Sequence, residues 1–472
     1  MSTGAARVLW LVAWTLVLAA CQSASHVRPE PVVPAHWPQH PGIAQPSSDG
    51  AVSLAAQPWA QVFPVPELSA LVDEALAGSS DLRIAVERIE LARAQFGLQR
   101  STQFPSIGIG ASAARERMPG VHPRNNRVGE YGAFSLTMPA WEIDLWGKLA
   151  DRSEAARRQL LATDAASQVV RISLVAQVSA LYLDLLDLDN QLEISRRTLD
   201  TRRHALRLTR ARFDEGISSI IDVRQAESLL AVSEEAIADQ HRRRAQSENA
   251  LSVLIGRNPG SIARSMRLEH LMLPFDVTAG LPSELLARRP DILAAEESLR
   301  SASASVDAAR KAFLPSLSLT TMLGFASPEL GQLFDSGRFA WSIQPAVGLP
   351  LFTAGGLQAG VDQAEAQQRI LVEQYKATVR QAFREVSDAL VAFEQRKLQQ
   401  DATQRVVLAD RERLRVANVR YLSGITSYFE VLDAERQSFD SELALSQALR
   451  ATHQAVVQLY LALGGGWSRP AG

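Results

Sequence analysis

Four short segments alternate between apolar and small or polar residues with a period of two. Ile107, Ile109, Ala111 and Ala113 alternate with Gly108, Gly110, Ser112 and Ala114, and Phe134, Leu136 and Met138 with Ala133, Ser135 and Thr137. Further on, Leu317, Leu319, Thr321, Leu323 and Phe325 alternate with Ser316, Ser318, Thr320, Met322 and Gly324. The fourth set is Trp341, Ile343, Val347 and Leu349 against Ser342, Gln344, Ala346 and Gly348. Such a pattern predicts strands with one apolar face and one small or polar face. Elsewhere the period is helical. Two helices are predicted over about 147–213 and 355–421, without internal Pro and, apart from Gly356 and Gly360 at one start, without Gly. Val178, Leu181, Leu185 and Leu188 supply a packing stripe in the first, while Arg and Glu fill the remainder. At 1.5 Å per residue each spans about 100 Å. That is too long for a compact globule and predicts a coiled-coil rod or tube. Medium helices are predicted over 80–103, stopped by Pro105, and from Arg289-Pro290-Asp291 to Leu314-Pro315. Two more close the pattern over about 222–255 and 430–463.

The succession of medium helix, two strands, long helix and medium helix therefore occurs twice, and the residues agree. Arg212-Phe-Asp-Glu-Gly-Ile-Ser-Ser-Ile-Ile-Asp-Val-Arg-Gln-Ala-Glu227 returns as Arg420-Tyr-Leu-Ser-Gly-Ile-Thr-Ser-Tyr-Phe-Glu-Val-Leu-Asp-Ala-Glu435, an offset of 420 − 212 = 208. Gly147 with Gly355 and Gly256 with Gly464 keep that offset, and Phe104-Pro105-Ser106 with Leu314-Pro315-Ser316 nearly does. Solenoid units repeat every 20–50 residues or so, so this is a duplicated half-molecule. The fold class expected is mainly α with a small β part.

Net charge over 472 residues is −2, which advertises no nucleic-acid surface. No run of 18 consecutive apolar residues follows the N-terminal stretch, an argument against membrane-spanning helices. Residues 8–20, preceded by Arg7, are too short to span a bilayer and suit a signal peptide. They end in Leu18-Ala19-Ala20-Cys21, and Cys21 is the only cysteine. This resembles a bacterial lipobox, whose thiol is lipidated; the alternative is an ordinary signal peptide with a chance Cys. With no disulfide partner to account for it, lipidation is the preferred reading. Gln22 at the next position implies outer-membrane sorting, since Asp there is the usual retention mark. Nine prolines between Pro29 and Pro66 predict an extended tether over 26–66.

Strands of about ten residues with one apolar and one small, polar face suit a transmembrane barrel. Four strands cannot close a barrel, and open edges are not tolerated in lipid. Spanning strands therefore require several copies, and three copies supply twelve strands, within the known range.

The turns at Gly216…Asp222-Val223 and Gly424…Glu430-Val431, the Arg289-Pro290-Asp291-Ile292 helix start and Trp141-Glu-Ile-Asp-Leu-Trp-Gly147 together resemble outer membrane factors of the TolC/OprM type, in the lipoprotein branch labelled NodT. The resemblance covers about 60–464. It implies a homotrimer in which a twelve-strand outer-membrane β-barrel stands on a periplasmic α-helical barrel. The deep end would dock on a periplasmic adaptor (membrane fusion) protein joined to an inner-membrane RND pump or ABC transporter. The expected function is the exit duct of a tripartite drug efflux system. The alternatives are a duct for type I protein secretion and a lipid-anchored periplasmic scaffold without a pore. The divisions expected are a signal peptide (1–20), a lipidated Pro-rich segment (21–66), two efflux repeats (67–256 and 282–464), a linker (257–281) and a tail (465–472).

No enzyme is expected. The eight histidines are scattered, and no HExxH, GxxxxGK[ST], GxSxG or Cys pair occurs, so neither cofactor nor metal is implied. The informative positions are the turns. Gly216 and Gly424 fit the left-handed position that ends a helix. Asp222 and Glu430, early in the next helix, are either simple N-terminal stabilisers or gate residues. The family resemblance implies that the second turn lines a closed aperture, with Asp433 as an acidic ring that favours cations and Phe429 as an apolar constriction. It also implies a hydrogen bond between Asp222 and Tyr421, without the ionic latch of one relative, because Thr426 stands where that relative has Arg. His241-Arg-Arg-Arg244 reads as a solvated helix face, and Trp141, Trp146 and Trp341 as membrane-interface residues.

Overall fold

The computed structural model describes residues 54, 57–118, 127–271 and 282–465. Cys21, the signal segment, His36, His40 and residues 466–472 lie outside the described residues. The first half runs α1 (Trp59–Val62), α2 (Pro66–Gly78), α3 (Ser80–Ser101), β1 (Gly108–Met118), β2 (Arg127–Ile143), α4 (Lys148–Asp214) and α5 (Ile220–Leu254). The second half runs α6 (Pro282–Arg288), α7 (Pro290–Lys311), β3 (Ser316–Ser327), β4 (Phe339–Gly348), α8 (Gly356–Leu422) and α9 (Tyr428–Ala462). Both long helices have 67 residues and both closing helices 35, so the duplication is preserved to the residue. The extended reading of 26–66 fails at its C-terminal end. Pro58 precedes the helical turn α1, and Pro66 is the first residue of α2. Proline lacks only an N–H that a helix start leaves unpaired, so it can open a helix as readily as break one.

The chain forms two compact units. The first comprises 88–164 and 294–376. Its centre is a four-stranded antiparallel sheet in the order β1-β2-β3-β4. The register builds cross-strand rows of one kind. Ile109, Leu136, Leu323 and Trp341 stand opposite one another in turn, as do Ala111, Phe134, Phe325 and Phe339. The neighbouring row on the other face is Gly110, Ser135, Gly324 and Ala340. Phe334 joins the aromatic row, 5.9 Å from Phe134 and 5.6 Å from Phe325. Apolar side chains on this face stay open, Ile109 and Val347 each 73% exposed and Trp341 66%. A face this apolar, on a sheet whose outer strands each have a free edge, is not a finished structure in water. Trp141 donates its indole N–H to Gln103 O (3.3 Å) and Trp146 to Pro315 O (2.7 Å). Trp141, near the end of β2, and Trp146, just past it, thus tie the strand-to-helix corners, while Trp341 stays open.

The second unit comprises 57–87, 165–293 and 377–465 among the described residues. Of the predicted stripe, Val178, Leu185 and Leu188 of α4 are buried in it, together with Tyr182, whereas Leu181 is only half-buried. An 18-residue stretch of α4 is apolar enough by composition to cross a membrane, but 56% of it is buried within the fold. Packing accounts for it. Among the elements absent from the sequence reading, α2 packs against this region. Tyr182 donates to Glu67 of α2 (2.9 Å), and Arg257 pairs with Glu74. The Arg289-Pro290-Asp291 start is a structural tie: Arg289 bonds to Asp291 (2.6 Å), to Glu385 of α8 (2.7 Å) and to Ala462 O at the end of α9 (2.9 Å).

Candidate functional site

Each long helix reverses into its closing helix through the same backbone geometry. Gly216 adopts φ +75° and Gly424 φ +71°. Gly216 N–H donates to Phe213 O (2.8 Å) and Ile217 N–H to Arg212 O (2.8 Å); Gly424 N–H donates to Tyr421 O (3.0 Å) and Ile425 N–H to Arg420 O (2.9 Å). These bonds satisfy the last carbonyls of α4 and α8, and glycine is the residue that enters the left-handed region without strain.

The caps that follow differ between the halves. In the first turn Ser219 Oγ accepts from Ile221 N–H (3.1 Å) and the Asp222 carboxylate accepts from Ser219 N–H (3.0 Å), a capping box. In the second turn Ser427 makes no side-chain cap bond, and Glu430 instead takes Thr426 Oγ1 and the Arg420 guanidinium (3.2 Å). The expected Asp222–Tyr421 hydrogen bond is not among the contacts of this turn. Asp222 at the third helical position lies nearest its own cap, and that bond takes its carboxylate. Tyr421 meets other partners: its ring lies 5.1 Å from Tyr428, and the Arg212 guanidinium stands 4.9 Å from its centroid.

Asp433 is not a bare acidic position. Arg413 of α8 and Arg436, one turn further along α9, both bond to it, and the two guanidinium groups hold its carboxylate below the usual Asp range. At the tips Ile217, Ile221, Ile425 and Phe429 are 62–69% exposed. Behind them the hairpins share one core, with Leu206, Val223 and Ala226 from the first half and Ala417, Tyr428, Val431, Leu432 and Ala434 from the second. Burial pushes the Tyr428 hydroxyl up to about 12.

Deeper in this bundle Arg202 is 2% exposed. It donates to Leu229 O (2.8 Å) and Ser233 Oγ (2.7 Å) on α5, and its guanidinium stands 5.0 Å from the Phe439 ring of α9. Burial raises the Glu435 carboxyl, and Arg202 works against that rise. Of these residues the sequence reading singled out Asp222, Tyr421, Phe429, Glu430, Asp433 and both glycines. It missed Arg202, Arg212, Arg413, Arg420 and Arg436. Arg420 and Glu430, or Arg413 and Asp433, are 10 and 20 residues apart on either side of a turn. Only the pairing of antiparallel helices brings them together. Arg242 and Arg243 pair with Asp239 on their own exposed helix face, while Arg244 turns to Asp189. Among the described residues no group of His, Cys, Asp or Glu is arranged to hold a metal.

The family model for outer membrane efflux proteins matches residues 71–257 and 281–465. The chain is 35% identical over 469 residues to the antibiotic efflux pump outer membrane protein ArpC of Pseudomonas putida, covering 98% of this chain and 96% of the relative. It is 36% identical over 460 residues to outer membrane protein OprJ of Pseudomonas aeruginosa, covering 96% and 94%. Its structure is similar to the open state of the Neisseria gonorrhoeae MtrE outer membrane channel, with a TM-score of 0.86 at 32% identity over 95% of this chain and 99% of that one. The Campylobacter jejuni CmeC outer membrane channel gives 0.87 at 26% identity, covering 95% and 96%.

Proposed function

This chain belongs to the outer membrane efflux protein family, and we propose that it is the exit duct of a tripartite, RND-type efflux system. It is an outer-membrane channel component with a periplasmic extension, and its work is conduction. The observation that carries the finer reading is the sheet: apolar rows on one face, small residues on the other, and a free edge on each outer strand. Lipid would cover the first face, water the second, and neighbouring copies the edges. Three copies give a twelve-strand barrel, and the duplicated hairpins give twelve helical strands. The cargo is drugs or other small toxic compounds, the class named for the relatives of antibiotic, solvent and toluene pumps. Those same names favour efflux over protein secretion.

The paired turns are the periplasmic aperture in this reading. Phe429 and Ile425 form its apolar rim, Asp433 its carboxylate, and Asp222, Glu430, Gly216 and Gly424 shape the two turns. A periplasmic adaptor would bias the second-half hairpin toward an open arrangement by binding that arrangement better. Lipidation of Cys21 anchors the N-terminus in the outer membrane. The test is complementation of an efflux-deficient strain with the chain and its neighbouring pump and adaptor, paired with single-channel recording of the purified protein. Restored drug resistance and a conducting pore are expected. A protein that restores secretion of a polypeptide but not resistance would favour the secretion duct, and one that conducts nothing in bilayers would return the pore-free scaffold. Labelled palmitate incorporated by the wild type and lost in Cys21→Ser checks the anchor.

A further inference from the structure

Toward the turns, arginines of α8 and of α4 take different partners, although Arg210 of α4 pairs with Glu227 of its own hairpin and Arg450 of α9 reaches Asp184 and Asp187 of α4. Arg420, Arg413 and Arg411 of α8 all bond within their own hairpin, to Glu430, Asp433 and Glu442. Three arginines of α4 reach instead into the other half. Arg197 pairs with Glu442 of α9, Arg202 lies against the Phe439 ring of α9, and Arg212 lies against the Tyr421 ring of α8. At the 208-residue offset Arg212 corresponds to Arg420 and Arg202 to Asp410, so duplication alone does not account for the cross-half contacts.

The rungs differ in character. Arg202 is sealed in the core and fixed on α5 by two hydrogen bonds, so it is a pivot that stays with the first half. Arg197 is 56% exposed and shares Glu442 with Arg411, which makes its pull open to screening by salt. Arg212 is half-buried and acts on a ring face, close to the turn itself. A ring face attracts a guanidinium whether or not the ring carries a hydroxyl.

We propose that Arg197 and Arg212, on either side of the Arg202 pivot, are positioning residues that hold the second-half hairpin against α4. The contact released when the aperture opens is the Arg212 cation on the Tyr421 ring face, not a bond to the Tyr421 hydroxyl. The proposal rests on the reading that the turns form the aperture, and deepens it by naming what holds them. It also separates this chain from the hydrogen-bond latch expected by resemblance, because the two devices respond oppositely to one substitution.

The experiment is single-channel recording of the full-length protein in planar bilayers, with each variant first checked for trimer migration on unheated gels. Tyr421→Phe keeps the ring face, and wild-type open probability is expected. Tyr421→Leu and Arg212→Gln each remove the contact and are expected to raise it about two- to thirty-fold. The double variant is expected to go no further than either single one, since both remove one interaction. Arg197→Glu is expected to open the channel at low salt and to lose that effect at high salt, a salt dependence that loss of packing would not show. An increase with Tyr421→Phe equal to that with Tyr421→Leu overturns the proposal in favour of the hydroxyl. A silent Arg212→Gln also overturns it. Phe429→Ala separates the two layers: if it raises conductance while Arg212→Gln is silent, the ladder alone is wrong, and if it too is silent, the aperture reading falls with it.

Discussion

Asp433 illustrates how a neighbour changes what a residue can do. Read alone it is an acid at a constriction, and three copies would favour cations. With Arg413 and Arg436 bonded to it, each carboxylate comes with two positive charges. Asp433→Asn is therefore expected to move the channel toward anion preference and not merely to neutral behaviour, measured as a shift in reversal potential across a salt gradient. The pH dependence has a definite sign. The carboxylate is held below its ordinary value, so wild-type selectivity is expected to persist as pH falls to about 4. Arg413→Gln should bring the loss of selectivity to higher pH; an unchanged profile would mean that the pairing is absent in the open pore. His453 makes the opposite kind of case, a base buried at 5% exposure with Nδ1 unpartnered. Burial lowers it to about 4, so between that value and 6.5 the unfolded chain binds the proton and the fold does not. Stability should fall by about 2 kcal/mol per chain from pH 7 to pH 5 on this account. His453→Gln should flatten that slope in thermal unfolding, and an identical slope would discount the residue.

The helices were the most legible elements, because Pro105, Gly147, Gly216, Pro315, Gly355 and Gly424 punctuate the chain at their ends. Strand faces were legible too, since alternation and register agree row by row. The short helices α1, α2 and α6 were not. They follow prolines, and proline density alone does not tell a helix start from an extended tether. The caps carry a sharper lesson: near-identical turn sequences hide different hydrogen bonding. Ser219 caps α5 through its side chain, whereas the matching Ser427 does not cap α9. Thr426, which stands where the first turn has Ser218, helps to explain this, because it and Arg420 together occupy the Glu430 carboxylate. Ser219→Ala should cost about 1 kcal/mol and Ser427→Ala close to nothing. Hydrogen exchange of the first turns of α5 and α9 would read the difference. Equal losses of protection would show that the two turns are energetically alike despite their contacts.

Gene duplication yields a chain whose halves match in length, while the unpaired sheet edges leave the single molecule incomplete. The outer strands β1 and β4 each lack a neighbour on one side, and a membrane offers their N–H and C=O groups no water to replace it. Closure by copies of the same chain is the arrangement that satisfies every edge, and two substitutions one residue apart test it. Ile343 belongs to the apolar face, opposite Thr321 and beside Trp341 in the alternation, and is 61% exposed in the single chain. Gln344 points to the other face, opposite Thr320. If lipid covers the first face and water the second, Ile343→Arg should cost about 2–4 kcal/mol near the bilayer midplane. It should also lower the temperature at which the unheated trimer band disappears on a gel. Gln344→Arg should leave that temperature nearly unchanged and alter ion selectivity instead. The reverse pattern would turn the sheet inside out. Equal tolerance of both would mean that neither face meets lipid, so that the sheet packs against protein and the free edges are closed by something other than two further copies of itself.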